Sequence, residues 1–119
     1  MRPRKWLVSM LGAVLLTGMA ARPAHAAAVG LELMLLVDVS GSVDATEYNL
    51  QKAGYVQAFQ DAAVQAAIIG SQGGAIAVTY VEWSGVNQQS QQVGWTLIND
   101  ATSANAFAAS LKLWRTGRM

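Results

Sequence analysis

The segment Asp38-Val39-Ser40-Gly41-Ser42 places one carboxylate and two hydroxyls at alternate positions. A continuous apolar run at 33–37 precedes it, as expected for a strand that is buried on both faces. In open α/β sheets, ligands bind beyond the carboxyl ends of the strands, where this segment would lie. Oxygen ligands of these types suit hard divalent cations. The sequence therefore predicts that Asp38, Ser40 and Ser42 bind a metal ion, Mg²⁺ first and otherwise Mn²⁺ or Ca²⁺.

A long helix is expected directly after this loop, from about Ala45 to Ile69, because apolar residues recur there at helical spacing. Asp44 is a typical N-cap residue, and Glu47 three positions later completes a capping box. Gly54 costs about 1 kcal/mol relative to alanine in a helix interior, and it would allow the helix to pack closely on the sheet. The side chains expected on the solvated face are Glu47, Gln51, Gln57, Gln60, Asp61 and Gln65.

A hairpin is expected after this helix. A glycine-rich break at 70–74 leads to residues 75–83, whose β-branched and aromatic side chains predict an interior strand. Glu82 lies near the end of that strand, at the same sheet edge as the loop. A polar turn is expected at 84–90, followed by residues 91–98, which alternate between polar and apolar. One polar face and a short connection predict an antiparallel edge strand.

The last two elements carry the remaining apolar side chains. On the edge strand, Val93, Trp95 and Leu97 are expected to share one face, with Trp95 in the core. Residues 99–103 have the composition of a helix cap and precede a helix at about 103–115. The buried stripe of that helix should consist of Ala104, Phe107, Leu111 and Trp114.

Residues 1–26 have the three parts of a secretory signal peptide. A basic segment at 2–5 precedes an apolar core at 6–21, and Ala24-His25-Ala26 provides a cleavage site. The core is shorter than the roughly 20 residues of a membrane-spanning helix. We therefore expect residues 27–119 to be exported to the periplasm or the extracellular space, without stable insertion in the membrane.

Removal of this leader would leave a chain with a net negative charge. The remaining basic residues are Lys52, Lys112, Arg115 and Arg118, against all seven acids, so the formal charge changes from +1 to −3. The only histidine, His25, would be lost, and the sequence contains no cysteine. His-based catalysis, thiolate zinc sites and disulfides are thereby excluded for the mature chain. A nucleic-acid partner is also not expected, since such proteins need clustered Lys and Arg.

The predicted strand, D-x-S-x-S loop and capped helix resemble the von Willebrand factor A domain and its metal-ion-dependent adhesion site. A group of secreted bacterial proteins of this fold, labelled domain of unknown function 1194, is more similar still; the segments that carry this resemblance are 35–44, 77–84 and 93–98. The resemblance implies an α/β, Rossmann-like three-layer sandwich of von Willebrand A type. The order strand–helix–strand–strand–helix in 27–119 would be its amino-terminal half, incomplete at the C-terminus.

The same resemblance implies roles for the loop residues. Ser40 and Ser42 would contact the cation directly, and Asp38 would do so directly or through water. The family also takes a threonine and an aspartate from two later loops; Thr116 lies near the end of this sequence and is not assigned to that role. A cation held by the first loop alone would bind weakly and keep several waters. The carboxylate of a ligand could replace one of them.

Two functional interpretations remain open, and a third is a remote alternative. The first is a secreted or periplasmic interaction module that binds an acidic protein or other ligand through a divalent cation. The second is a truncated, non-binding fragment whose loop lacks its partner loops. The third is an aspartyl-type phosphatase, whose nucleophile also follows a first strand. That chemistry usually needs a second acid where Ser40 stands, and Ser40 lies in no G-x-S-x-G elbow. We therefore expect no enzymatic activity.

Overall fold

The structure, a computed structural model, describes residues 27–113. The predicted signal peptide at 1–26, as well as Trp114 and Thr116, lie outside these residues. Within the described range, no helix has the length and apolar character needed to cross a membrane.

The described residues form a small α/β fold of three helices and one mixed three-stranded sheet. The strand order is β1-β2-β3; β2 pairs parallel with β1 and antiparallel with β3, as predicted. The central position of β2 also agrees with its apolar sequence. The elements, in chain order, are β1 (Leu31–Asp38), α1 (Ala45–Gln60), α2 (Ala62–Ile69), β2 (Ile76–Gly85), β3 (Gln88–Ile98) and α3 (Ala101–Leu113).

The prediction of a single long helix between β1 and β2 is wrong. The helical segment is divided at Asp61 into α1 and α2. Asp61 has an extended backbone, and its Oδ1 accepts hydrogen bonds from the backbone N–H groups of Ala63 at 2.9 Å and Val64 at 3.0 Å. A short acidic side chain competes in this way for N–H groups that a continuous helix would use. Asp61 is therefore the N-cap of α2 and not part of a solvated helix face.

Gln65 was expected to be solvated, but it is buried. Its amide Nε2 donates to the carbonyl of Phe59 at 2.9 Å and to Asn105 Oδ1 at 3.2 Å. The break at Asp61 leaves carbonyls at the end of α1 without helical partners. Gln65 satisfies one of them and also links α2 to α3.

Strand β1 is covered on one face only, contrary to the prediction that both faces are buried. Val37 points into the core and is 3% exposed, whereas Met34 and Leu36 on the opposite face are 53% and 55% exposed. The core cluster combines side chains of the sheet with those of α1 and α3. Residues 27–113 therefore form two layers, and they do not build the third layer of the expected three-layer sandwich.

The hairpin between β2 and β3 is tighter than the predicted polar turn at 84–90. Strand β2 continues to Gly85 and β3 begins at Gln88, so only Val86 and Asn87 connect them. Asn87 has a positive φ of 60°, a conformation that asparagine tolerates better than most residues. The edge strand predicted at 91–98 therefore begins earlier, at Gln88.

An irregularity in β3 changes which side chains face the core. Val78 pairs with Thr96, but Tyr80 pairs with Val93, so three steps on β3 match two steps on β2. Such a β-bulge reverses the alternation of side chains along the strand. Val93 is buried as expected, whereas Trp95 and Leu97 lie 52% and 39% exposed. The prediction that these three share a buried face is therefore wrong.

Helix α3 carries the centre of the core. Ala104, Phe107 and Leu111 are all at most 1% exposed, as predicted, and the Phe107 ring packs edge-to-face on that of Phe59 at 4.7 Å between centroids. The helix begins at Ala101, two residues earlier than expected. The reason is that Asp100, not Ser103, caps it: Asp100 Oδ1 accepts the N–H of Ser103 at 2.7 Å.

Candidate metal-binding site

The loop after β1 is held at both ends by backbone hydrogen bonds. The N–H of Val39 donates to the carbonyl of Trp83 at 2.9 Å, which extends the pairing with β2 beyond Asp38. The N–H of Val43 donates to the carbonyl of Ser40 at 2.8 Å and closes a tight turn. The loop therefore occupies a defined position between the carboxyl end of β1 and the start of α1.

The three predicted ligand residues come together in this loop. Asp38 Oδ1 accepts the backbone N–H of Ser40 at 2.8 Å, and the hydroxyl oxygens of Ser40 and Ser42 lie 3.4 Å apart. Ser42 is exposed, and Asp38 and Ser40 are partly exposed. The arrangement thus brings one carboxylate and a pair of hydroxyls together at a tight turn that solvent can reach.

The loop also favours the ionised form of its carboxylate. The side chain of Ser40 and then its backbone N–H stabilise the negative charge of Asp38 and hold the pKa of that carboxyl below its usual value. Hydrogen bonds to a carboxylate have this effect because they are stronger when the acceptor is charged. Asp38 is therefore negatively charged at neutral pH.

The oxygen spacing can be compared with the needs of a divalent cation. Neighbouring ligands in an octahedral Mg²⁺ site lie about 2.9 Å apart, and the longer Ca²⁺–oxygen bonds place them about 3.3–3.7 Å apart. The 3.4 Å between the Ser40 and Ser42 hydroxyls suits the larger ion directly, and a small side-chain rotation would suit Mg²⁺. The donor chemistry thus fits a hard cation.

The charge of the loop sets a limit on how tightly it could hold such an ion. Residues 27–113 contain no group of three or more acids, histidines or cysteines arranged to bind a metal. Asp38 is the single carboxylate among the three ligand residues. One negative charge neutralises a divalent ion only in part, so the loop's own ligands would hold it weakly and leave positions for water or a ligand.

Helix α1 begins immediately after the loop with the predicted capping box. Asp44 Oδ1 accepts the N–H groups of Thr46 at 2.7 Å and Glu47 at 2.9 Å, and Glu47 Oε2 accepts the N–H of Asp44 at 2.9 Å. Both acids therefore serve the helix start, as expected. Their role fixes the direction in which the chain leaves the loop.

A buried carboxylate lies on β2 near the start of the loop, in a position to which sequence reasoning gave no role. Glu82 is 5% exposed and faces Val37 across the β1–β2 pair. Its two oxygens accept hydrogen bonds from the Tyr48 hydroxyl at 2.7 Å and from Gln92 Nε2 at 3.1 Å. Glu82 therefore links the first turn of α1 to both β2 and β3. The available signal was an acid in an otherwise apolar interior strand, which needs buried partners.

Two tyrosines near Glu82, Tyr48 and Tyr80, have raised pKa values. Burial, and then the hydrogen bond to Glu82, raises the pKa of Tyr48. Burial, followed by the Glu82 charge, also raises the pKa of Tyr80, whose buried hydroxyl has no hydrogen-bond partner among the described residues. Both phenols therefore stay neutral at physiological pH.

Comparison with protein families gives a match that covers most of the chain. Residues 28–118 match the family described as Protein of unknown function (DUF1194). This range covers all six helices and strands, the D-x-S-x-S loop and the Glu82 cluster. No curated protein and no solved structure matches the chain.

Proposed function

The chain belongs to the DUF1194 family, and from this premise we propose that it is an exported interaction module that binds acidic ligands through a divalent cation held by Asp38, Ser40 and Ser42. The observation that carries the proposal is the meeting of one carboxylate and two hydroxyls at the carboxyl end of β1. Export rests on the signal-peptide pattern at 1–26.

The proposal includes a von Willebrand factor A type of α/β fold, in which the loop is the first part of a metal-ion-dependent adhesion site. The parallel β1–β2 pair and the antiparallel hairpin that follows support it. So does the direct succession of strand, D-x-S-x-S loop and capped helix. Each of these features occurs in many α/β proteins. The support for the proposal is their combination with the D-x-S-x-S sequence of the loop.

The loop's own residues define the mechanism. Asp38 would provide the negative charge, and the hydroxyls of Ser40 and Ser42 would provide neutral oxygen ligands. A bound cation would supply the positive centre to which a carboxylate of the ligand attaches. No enzymatic step is proposed, since the loop has no second acid and no base to activate a serine.

Calorimetric titration of the purified chain with Mg²⁺ and with Ca²⁺ tests the proposal. We expect weak binding that falls about tenfold or more in Asp38→Asn, because the variant removes the only charged ligand. Asp100→Asn is a matched control. Asp100 is likewise exposed and hydrogen-bonded to a nearby serine, and the same kind of bonds lower its pKa, but it caps α3 away from the loop.

Equal cation binding by the wild type and Asp38→Asn would refute the proposed ligand set. Absence of binding to the wild type at millimolar concentrations would favour the second interpretation, a non-binding chain in which the loop is an ordinary turn. Melting curves recorded with and without the cation provide an independent readout, since a ligand that binds only the folded state raises the melting temperature.

A further inference from the structure

The positive side chains of the described residues are concentrated at one place. Between residues 27 and 113 the basic residues are Lys52 and Lys112, and both line a groove between α1 and α3. All seven acids of the sequence lie in the same range, yet none of them is among the residues that line the groove. In a chain with more acids than bases, the charged side chains that line this groove are thus both basic.

The groove has the volume of a ligand pocket, and its lining is mostly polar. Its volume is about 450 Å³, within the range of roughly 300–1,000 Å³ that is common for ligand pockets. Val56 contributes an apolar floor, and three side-chain amides, Asn49, Gln57 and Gln60, lie along it. Asn49 and Gln60 are eleven positions apart on α1, which corresponds to about 16 Å along the helix axis.

The two lysines lie toward the same end of this groove. Gln65 contacts Asn105 and Phe59 contacts Phe107, so residue numbers fall along α1 and α2 as they rise along α3. The two helical segments are therefore antiparallel, and the end of α3 that carries Lys112 lies beside the first half of α1. Lys52 is in that half, about 12 Å along the axis from Asp44.

Local roles of the individual lysines do not account for this arrangement. Lys112 is in the last turn of α3, where a positive charge complements the helix dipole. The Lys52 ammonium lies 6.0 Å from the centre of the Tyr48 ring and makes other interactions as well. Neither role explains why both charges border one groove together with three amides. The feature that matters is that the two charged side chains lining the groove are both basic.

We propose that the groove between α1 and α3 binds a short acidic segment of a partner polypeptide. Each amide of Asn49, Gln57 and Gln60 both donates and accepts hydrogen bonds, as the backbone of an extended peptide requires. Lys52 and Lys112 attract its carboxylates. A compact anion such as phosphate would engage only the lysine end, whereas a peptide also uses the amides along the groove. This site is separate from the loop after β1 and needs no cation.

Fluorescence anisotropy with a labelled hexaglutamate peptide tests the proposal, using the full chain at low salt in the presence of EDTA. We expect saturable binding that weakens as salt is added, since the charges are exposed to screening. The double variant Lys52→Gln/Lys112→Gln should lower the affinity by about fivefold or more, because two partly exposed ion pairs are lost. The charge-preserving control Lys52→Arg/Lys112→Arg should bind like the wild type.

Further variants separate this site from the alternatives. Asp38→Asn should leave peptide binding unchanged, so the groove can be confirmed even if the cation loop is not. Gln57→Ala/Gln60→Ala should weaken peptide binding without unfolding the chain, as judged by its melting temperature. No binding by the wild type, or equal binding by the double glutamine variant, would overturn the proposal. Displacement of the peptide by inorganic phosphate at equal concentration would overturn the peptide assignment and indicate a general anion site.

Discussion

At the scale of single residues, two carboxylates that differ in exposure lie at the carboxyl ends of β1 and β2. Asp38 is partly exposed, accepts a hydrogen bond from Ser40 and lies where a cation could reach it. Glu82, on the paired strand β2, is buried and is held by Tyr48 and Gln92. The first is suited to binding and the second to fixing the position of α1, although the two lie on neighbouring strands.

Ser40→Ala should raise the pKa of Asp38 toward the value of an ordinary aspartate, because the Ser40 side chain is the largest cause of its lowered pKa. A lowered pKa in the folded state contributes stability above the unfolded pKa and loses it as the pH falls through the folded pKa. The variant should therefore lose this contribution at a higher pH than the wild type. Carboxyl chemical shifts followed by NMR titration measure the effect, and Ser42→Ala is the control, expected to shift the pKa less.

Tyr48→Phe should destabilise the chain by about 1–3 kcal/mol, because it leaves one oxygen of the buried Glu82 carboxylate without its donor. The measurement is the free energy of unfolding from urea denaturation. Tyr55→Phe is a matched control, since Tyr55 is on the same helix and packs on Tyr80, but its hydroxyl does not bind Glu82. We expect a change within about 0.5 kcal/mol for the control. Equal losses in both variants would show that the Glu82 bond is not the cause.

At the scale of elements, features that depend on neighbouring residues were predictable and those that depend on distant residues were not. The strand, loop and capping box around Asp38 and Asp44 follow from short-range patterns, and the structure contains all three. The break at Asp61 was missed because its apolar surroundings continue the helical spacing. The bulge that exposes Trp95 was missed because it arises from pairing with β2. Of the candidate site, the positions of Asp38, Ser40 and Ser42 were predictable, whereas the support from Glu82 required the fold.

The glycine in α1 gives a prediction about an element. Gly54 would have allowed the helix to pack closely on the sheet, but it is exposed, and an added Cβ would meet nothing within 4 Å. Gly54→Ala should therefore stabilise the chain by up to about 1 kcal/mol through helix propensity alone. Thermal denaturation measures the change. Gly30→Ala is the contrasting variant: its Cβ would collide with the carbonyl oxygen of Gln72, so a loss of stability is expected there.

At the scale of the whole molecule, the helices of residues 27–113 cover one face of the sheet, and the other face carries apolar side chains. Met34, Leu36 and Trp95 are all more than half exposed on that face. Among the described residues β1 is also an edge strand, with no second neighbour to pair with its backbone. Its sequence contains no lysine or proline of the kind that usually protects an edge from pairing with another chain, and Glu32 is its one exposed charged residue. These features together predict self-association.

Light scattering combined with size-exclusion chromatography should therefore reveal association that increases with protein concentration. Leu36→Lys should reduce it, because the charge interrupts both the apolar face and the exposed edge strand. The folded state should tolerate this change, since Leu36 is already 55% exposed. Leu50→Lys is the matched control, as Leu50 is a 73% exposed leucine on α1, away from the sheet. Equal reduction by both variants would attribute the association to net charge, and reduction by Leu36→Lys alone would attribute it to the uncovered sheet.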